Sequence, residues 1–451
     1  MVTTALPIAG PVDLRLGGEA DVQAACGLMH VHGRRSGRPA RLGLDYATIV
    51  ATELSEIGAL AVRFARRRGL LLRSAYTSLA QAALLAVSQY LAAATADDPP
   101  EPVVPGGPPF RSTEGVPFEI ETLDPFVWQR FWQRLDTAPS AIRRGWRPFQ
   151  QRFATATCPL PAALFTRTAT LPIAALEQTA AETGMSLVRV SAVALTGLPP
   201  YVLSGRSMPV ARPLEVALPL SGMVVLESCR RVQGPMAGLV LSMLGARVIR
   251  IEPPGGDPLR GVPPMTGGVS ARFHALNHGK ETVEIDLATG RSDLLDLAGD
   301  ADVFLHNWAP GKDARWNLSA TDVAGARPGI VYAHASGWGD ALGPNPPVGT
   351  DFVVQAYAGV PPSLMTVVDV FGGLVCAHGI VDALCHGHSR VESSLLSAAA
   401  RLNALSGPPC SVPLRVPVCT DLAALADDPR FARALVRDGC VVPAAPWEFT
   451  R

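Results

Sequence analysis

Apolar positions in the second half of the chain fall into a repeating alternation. Met223–Leu226 is an unbroken apolar run, after which Ala237, Val240, Leu241 and Leu244 recur at helical spacing until Gly245. Val248, Ile249 and Ile251 then read as the next strand. Continued onward, the pattern predicts strands at 223–228, 247–252, 282–286, 302–306 and 329–334, with helices at 235–245, 290–299 and 321–326. Short buried strands separated by helices predict an α/β fold with a doubly wound, mostly parallel sheet. Pro235 falls in a first helical turn, where its missing N–H has no intrahelical partner. The stretch Ser228–Asp257 thus reads as half of a nucleotide-binding βαβ unit.

The first half has two other textures. Ile49, Val50, Leu54, Ile57, Leu60 and Phe64 follow helical spacing behind VQAACGLMHVHG at Val22–Gly33 and LDY at Leu44–Tyr46. VVQAYAGV at Val353–Val360 and VDV at Val368–Val370 precede a similar helix, and each copy runs to a glycine (Gly69, Gly387) and a further helix (79–91, 395–405). This predicts an internal repeat with a truncated first copy, in which Asp45 matches Asp369 but is followed by Tyr46-Ala47-Thr48 without a glycine pair and is expected as a helix N-cap. Asp97–Pro108 is rich in proline and glycine and marks a boundary. Beyond it crowd Phe126, Trp128, Phe131, Trp132, Trp146, Phe149 and Phe153, the expected core of a small α/β unit with a strand at 116–120 and a helix at 174–183. Pro199–Pro213 reads as a linker, and a last helix is expected near Asp421–Val436. The expected domains are a truncated repeat (1–95), a small α/β domain (96–200), a large domain (201–410) and a C-terminal helix and tail (411–451).

Composition narrows the function classes. Hydrophobic residues make up 48% and charged residues 17% of 451, with zero formal net charge, so neither nucleic acid nor an acidic membrane is expected as partner. Lysine occurs only at Lys280 and Lys312; with abundant Ala, Gly and Pro, this reads as the coding bias of a GC-rich bacterial genome. The eight cysteines show no CxxC or Cys/His ligand spacing, which predicts reduced thiols and no metal. The N-terminus lacks the signature of a secretory signal, and the most apolar run, Ala80–Ala94, is too short to span a bilayer, so the cytoplasm is expected.

Wording adds more than pattern. RVQGP and LGARVIRIEPPGGD, then NHGKETVEIDL (Asn277–Leu287), ADVFLHNWAPG (Ala301–Gly311), GIVYAHASGWG (Gly329–Gly339), DFVVQAYAG (Asp351–Gly359) and VDVFGG (Val368–Gly373) follow in order. In this the chain resembles the family III CoA-transferases, the CaiB/BaiF fold. The resemblance implies an acyl-CoA:carboxylate CoA-transferase that takes coenzyme A as a substrate thioester and uses no metal. It implies Asp369 as the nucleophile, forming an aspartyl-CoA intermediate. A carboxylate suits this exchange because anhydride and thioester lie at similar chemical potential, so no ATP is needed. Backbone N–H groups at Gly372 and Gly373 are the expected oxyanion donors.

For CoA, the resemblance implies Arg231, Val232, Gln233, Gly234 and Pro235 near the pantetheine and thioester. Arg250, Lys280 and Arg315 are expected on the phosphates, with Asn277 and Asn307 in the same set. Ala309 and Pro253 depart from the family, which often carries arginine at both places, so a carrier-protein thioester is an alternative ligand. Family members also interlock as dimers, which implies an intrachain pseudo-dimer with one complete site and leaves a further homodimer open. The family's α-methylacyl-CoA racemases read Gly-His-Asp where this chain has Gly349-Thr350-Asp351; only His274 and His378 offer a substitute base. Isomerisation, or acyl-thioester binding without turnover, is therefore the alternative. A dehydrogenase is disfavoured because no GxGxxG follows a strand.

Overall fold

The computed structural model describes residues 6–99, 102–207, 218–407 and 412–451. Its centre is a seven-stranded sheet of β1 (Tyr201–Ser204), β2 (Val224–Ser228), β3 (Arg247–Glu252), β4 (Glu281–Glu284), β5 (Val303–His306), β6 (Val331–Ser336) and β7 (Arg390–Ser394). The spatial order is β4-β3-β2-β5-β6-β7-β1, parallel throughout except for β1, which runs antiparallel to β7. The chain winds outward from β2 to β4, then returns to β5 and winds the other way. That reversal opens a crevice beyond the carboxyl ends of β2 and β5. Tyr201–Ser204, expected as linker, is this sheet's edge strand; residues 208–213 of that expected linker lie outside the described residues.

Five helices position the candidate site: α1 (Glu19–Ala25), α2 (Tyr46–Arg67), α3 (Gln233–Met243), α4 (Asp351–Ala358) and α5 (Val367–His386). Burial covers nearly all of α5, which is long and apolar enough to cross a membrane by length and composition but forms the core here. Glycine lets it approach α3 closely: a Cβ at Gly373 would lie 2.6 Å from the Gln233 carbonyl oxygen and 2.7 Å from Met236 Cβ. On its other side α5 meets α2. The Tyr46 hydroxyl donates to the Val367 carbonyl at 2.7 Å, and His378 Nδ1 lies 2.6 Å from Glu53 Oε1. Burial pushes the Glu53 carboxyl up, but His378 and Arg401 outweigh it and hold the group below the usual carboxylate range. Glu53, Glu56 and His378 bring potential metal-ligand atoms together, with Arg401 paired to both glutamates.

The small unit is a three-stranded antiparallel sheet (Phe110–Arg111, Pro117–Glu121, Ser186–Arg189) covered by four helices between Pro125 and Thr183. Trp128, Phe131, Trp132 and Phe149 fill its core, whereas Phe126 points outward and is 68% exposed. Arg152, buried among these rings, lies 3.9 Å over Phe149 and 4.6 Å over Phe352 of α4, fastening the small unit to the large one. The expected helix 79–91 breaks at Val87 into Leu79–Ala86 and Ser88–Ala94. The expected helix near 421–436 is helical only over Leu422–Asp427. Pro429 starts a 3-10 turn, and a hairpin of Leu435–Asp438 with Cys440–Pro443 turns at Gly439, where φ is +71°. Seven cysteines carry free thiols, and Cys410 lies outside the described residues.

Candidate active site at two facing aspartates

The first N–H groups of a helix have no intrahelical acceptor. At the start of α5 those of Val368 and Asp369 both donate to Asp351 Oδ2, each at 2.7 Å. The other oxygen, Oδ1, accepts from Gln355 Nε2 one turn along α4, and Gln355 is itself fixed by exchange with the Ser363 backbone at 2.9 and 3.0 Å. Asp351 is buried. That burial, and next the Asp369 charge, push its carboxyl well above the ordinary range. Asp369, 8% exposed, is raised to about 6 by burial, with Arg231 pulling it down and Glu121 pushing it up.

Asp369 is thus the third residue of α5, and Thr366 holds the N-cap position. Gly372 and Gly373 lie inside the helix, where N–H groups bond to the preceding turn, so they are not free as oxyanion donors. The available pair at Val368 and Asp369 is already aimed at Asp351. Sequence reasoning passed over Asp351 as a nucleophile, although Gln355 four residues on signals an i,i+4 hydrogen bond.

Arg231 adopts φ +66°, a left-handed conformation costly for a side-chain-bearing residue, and its guanidinium lies 4.6 Å over Phe153 of the small unit. From the same unit Glu121 accepts hydrogen bonds from the Thr350 hydroxyl and from Arg152 at 3.2 Å. The small unit therefore reaches the residues on both sides of the aspartate pair. Of the two histidines weighed as a base, His378 is engaged by Glu53, while His274 Nε2 lies 3.2 Å from Asp438 without hydrogen-bond geometry.

The crevice beyond β2 and β5 is aromatic. The rings of His306 and His334 stack at 4.6 Å, Trp308 meets Trp316 at 5.0 Å, and Trp308 Nε1 donates to Ser228 Oγ at 3.0 Å. Asn307 braces the opposite lip, bonding the Arg230 N–H at 3.0 Å and its carbonyl at 2.8 Å. Arg315 is exposed on the short helix Lys312–Trp316, where Lys312 lies 5.3 Å over the Trp316 ring. Val232, Gln233, Gly234 and Pro235 form the buried entry to α3.

Two expected phosphate ligands are elsewhere. Lys280 is wholly inside, with Nζ at 2.7 Å from Glu227, 2.8 Å from the Pro235 carbonyl and 3.0 Å from Asn277. Its ammonium is drawn down to about 8 by burial, against the pull of Glu227. Arg250 is equally buried and pairs with Glu227, Glu252 and Asp257 at 2.6, 3.0 and 2.5 Å. A buried charge needs its full set of partners, so these cations, and Asn277 which holds Lys280, brace the sheet and do not reach the crevice.

Glu19 at the start of α1 repeats the Asp351 arrangement. It accepts from Gln23 four residues on (2.8 Å) and from the N–H groups of Ala47 (3.0 Å) and Thr48 (2.7 Å) at the start of α2. In this pairing Thr48 stands where Asp369 does. Asp45, matched to Asp369 by the repeat but expected as an N-cap, is at the N-cap position of α2, paired with Arg41 at 3.2 Å.

CoA-transferase family III matches residues 220–404. A probable fatty acyl-CoA transferase of Mycobacterium tuberculosis, Rv3272, is 34% identical over 195 residues, 40% of this chain and 49% of the relative. An acetyl-CoA:oxalate CoA-transferase of Acetobacter aceti is 33% identical over 37% of this chain and 46% of its own. The human succinyl-CoA:glutarate CoA-transferase is 32% identical, with coverages of 39% and 42%. The crystal structure of Rv3272 aligns at 33% identity over 42% of this chain and 58% of that one, with a TM-score of 0.39. The chain spans about half the length of the curated relatives it matches. Residues 220–404, under half of this chain, are thus similar to CoA-transferase family III.

Proposed function

We propose that the protein moves coenzyme A from an acyl-CoA to a carboxylic acid through a covalent intermediate at the Asp351–Asp369 pair. The observation that carries this reading is the Asp351 carboxylate, with one oxygen already held by two backbone N–H groups at 2.7 Å. Attack of the ionised form of Asp351 on the thioester carbonyl forms a mixed anhydride and expels CoA thiolate. The thiolate then attacks the Asp351 acyl carbon, giving aspartyl-CoA and the first free acid. During that step negative charge gathers on the aspartyl oxygen, where the Val368 and Asp369 amides offer an oxyanion site. An acceptor carboxylate attacks aspartyl-CoA in turn, and returning thiolate completes the new thioester and restores Asp351.

Asp369, expected from sequence as the nucleophile, is the second reading; it is the more exposed carboxyl and has Arg231 nearby. The nucleotide end of CoA is assigned to the aromatic crevice, with Lys312 and Arg315 for its phosphates. Placement of the small unit over α4, together with the likeness of the Glu19 and Asp351 networks, supports an internal pseudo-dimer in which one chain completes one site.

Intact-protein mass spectrometry with a panel of acyl-CoAs, followed by hydroxylamine, tests the proposal. A hydroxamate at Asp351 supports it, and one at Asp369 moves the chemistry to the neighbour. A thermal shift with CoA but no adduct from any donor would leave binding or proton transfer in its place.

A further inference from the structure

A cavity of about 670 Å³ lies beside α1, bounded by Ala20, Met29, Arg41 to Asp45 and Val412 to Leu414. Its place follows from the two like networks. Gln23 Oε1 accepts from the Leu42 N–H at 3.0 Å, as Gln355 Oε1 does from Ser363 at 2.9 Å. The Cys419 N–H donates to the Ala24 carbonyl at 2.8 Å, as Ser191 does to Ala356 at 2.8 Å. Counting from Glu19 and Asp351, Ala20 corresponds to Phe352; counting from Leu42 and Ser363, the loop 41–45 corresponds to 362–366.

Around Asp351 that space is nearly full. Phe352 occupies it from below, and Pro108, Pro109 and Glu119 of the small unit close it from above, leaving about 20 Å³. Around Glu19 an alanine replaces the phenylalanine, and the segment running from Val412 to Cys419 takes the place of a small unit. The walls are Ala20, Met29, Leu42, Leu44, Val412 and Leu414, with the Arg41–Asp45 ion pair at the rim. Val412 and Leu414 are 48% and 41% exposed, apolar area that a ligand would remove from water. The volume falls in the range of small-molecule sites, which are mostly apolar with a few polar groups at one side.

We propose that this cavity binds an unbranched alkyl chain, carried by a free carboxylic acid, at a site separate from the Asp351–Asp369 pair. The apolar walls take the chain, and the ion-paired rim meets its polar end. The inference does not depend on the transferase reading.

Calorimetric titration of the full chain with octanoate, decanoate and dodecanoate, in saturating CoA, tests it. The expected result is one site per chain, with affinity rising about fourfold per methylene buried. Ala20→Phe, which installs the residue found at the corresponding position of α4, should weaken dodecanoate at least tenfold and leave thermal stability and acyl-CoA exchange unchanged. Should that variant misfold, Leu414→Asp at the exposed wall should weaken binding several-fold in an intact protein. Absence of dodecanoate binding, displacement of the acid by CoA, or unchanged binding in folded Ala20→Phe would each overturn the proposal.

Discussion

The Asp369 amide donates to Asp351 Oδ2 at 2.7 Å, so the two carboxyl groups are joined through the backbone of one while their charges oppose each other. This contact links the first turns of α4 and α5 and makes Asp351 the fixed member. Replacement of Asp351 by Asn keeps the shape but removes the nucleophile. Acyl-CoA:acid exchange in Asp351→Asn is expected to fall on the order of 10³-fold or more, and Asp369→Asn by only about 10–100-fold. Equal losses with a surviving adduct in Asp351→Asn would reverse the two roles.

Asp369 also makes stability depend on pH. Its carboxyl titrates at about 6 in the fold, raised by burial from an ordinary value of 3.8. Between those values the folded chain holds a proton that the unfolded chain has released. Stability contributed by this group is therefore present below the ordinary carboxylate range, is lost as pH rises toward 6, and levels off above it. Asp369→Asn should flatten the fall between pH 4 and 6 by roughly 1–3 kcal/mol in denaturant titrations. An unchanged pH profile would show that Asp369 is not the group responsible.

Lys280 is expected to matter for folding and little for CoA. Lys280→Met strips the cation from Glu227 Oε2 and leaves that carboxylate to Arg250, which Glu252 and Asp257 already share, so the buried cluster is one positive charge short, at a cost of about 3–5 kcal/mol in chemical denaturation. KM for the thioester should stay within about twofold in whatever fraction folds, since binding through the crevice does not call on this ammonium. A large rise in KM at unchanged stability would restore Lys280 as a phosphate ligand.

Lys312 and Arg315 should behave in the opposite way. Both sit on the short helix beside Trp316, and Arg315 is exposed, so their loss costs the fold little. The double variant Lys312→Ala/Arg315→Ala should raise KM for acyl-CoA about tenfold or more with kcat nearly constant, and the effect should shrink at high salt. Steady-state kinetics at two ionic strengths would decide.

Gly373 is where α5 crosses α3. Its replacement by Ala would push a methyl group into the Gln233 carbonyl and Met236, with backbone on one side of the clash. A loss of about 1–3 kcal/mol is expected, seen as a lower melting temperature, with exchange activity falling as the start of α3 shifts. Gly299→Ala, where a Cβ would meet nothing within 4 Å, is the matched control.

Periodicity alone determined much of this protein. Five of the six parallel strands, the helices between them and most of the aromatic core of the small unit follow from spacing, because strand and helix impose different repeats on buried positions; the sixth parallel strand, Arg390–Ser394, does not. The ordered wording from Ser228 to Gly373 likewise carried the family. Only the tertiary structure decided which polar residues face the site. Arg250 looks from its own strand like a cation awaiting a ligand, but Glu227, Glu252 and Asp257 converge on it inside the fold. Lys280 is turned inward by a carboxylate 53 residues away in the chain. Asp351 and Asp369, 18 residues apart, become partners because two helices begin side by side. Such pairings are set by the packing of distant elements, and no local pattern of apolar and polar residues records them.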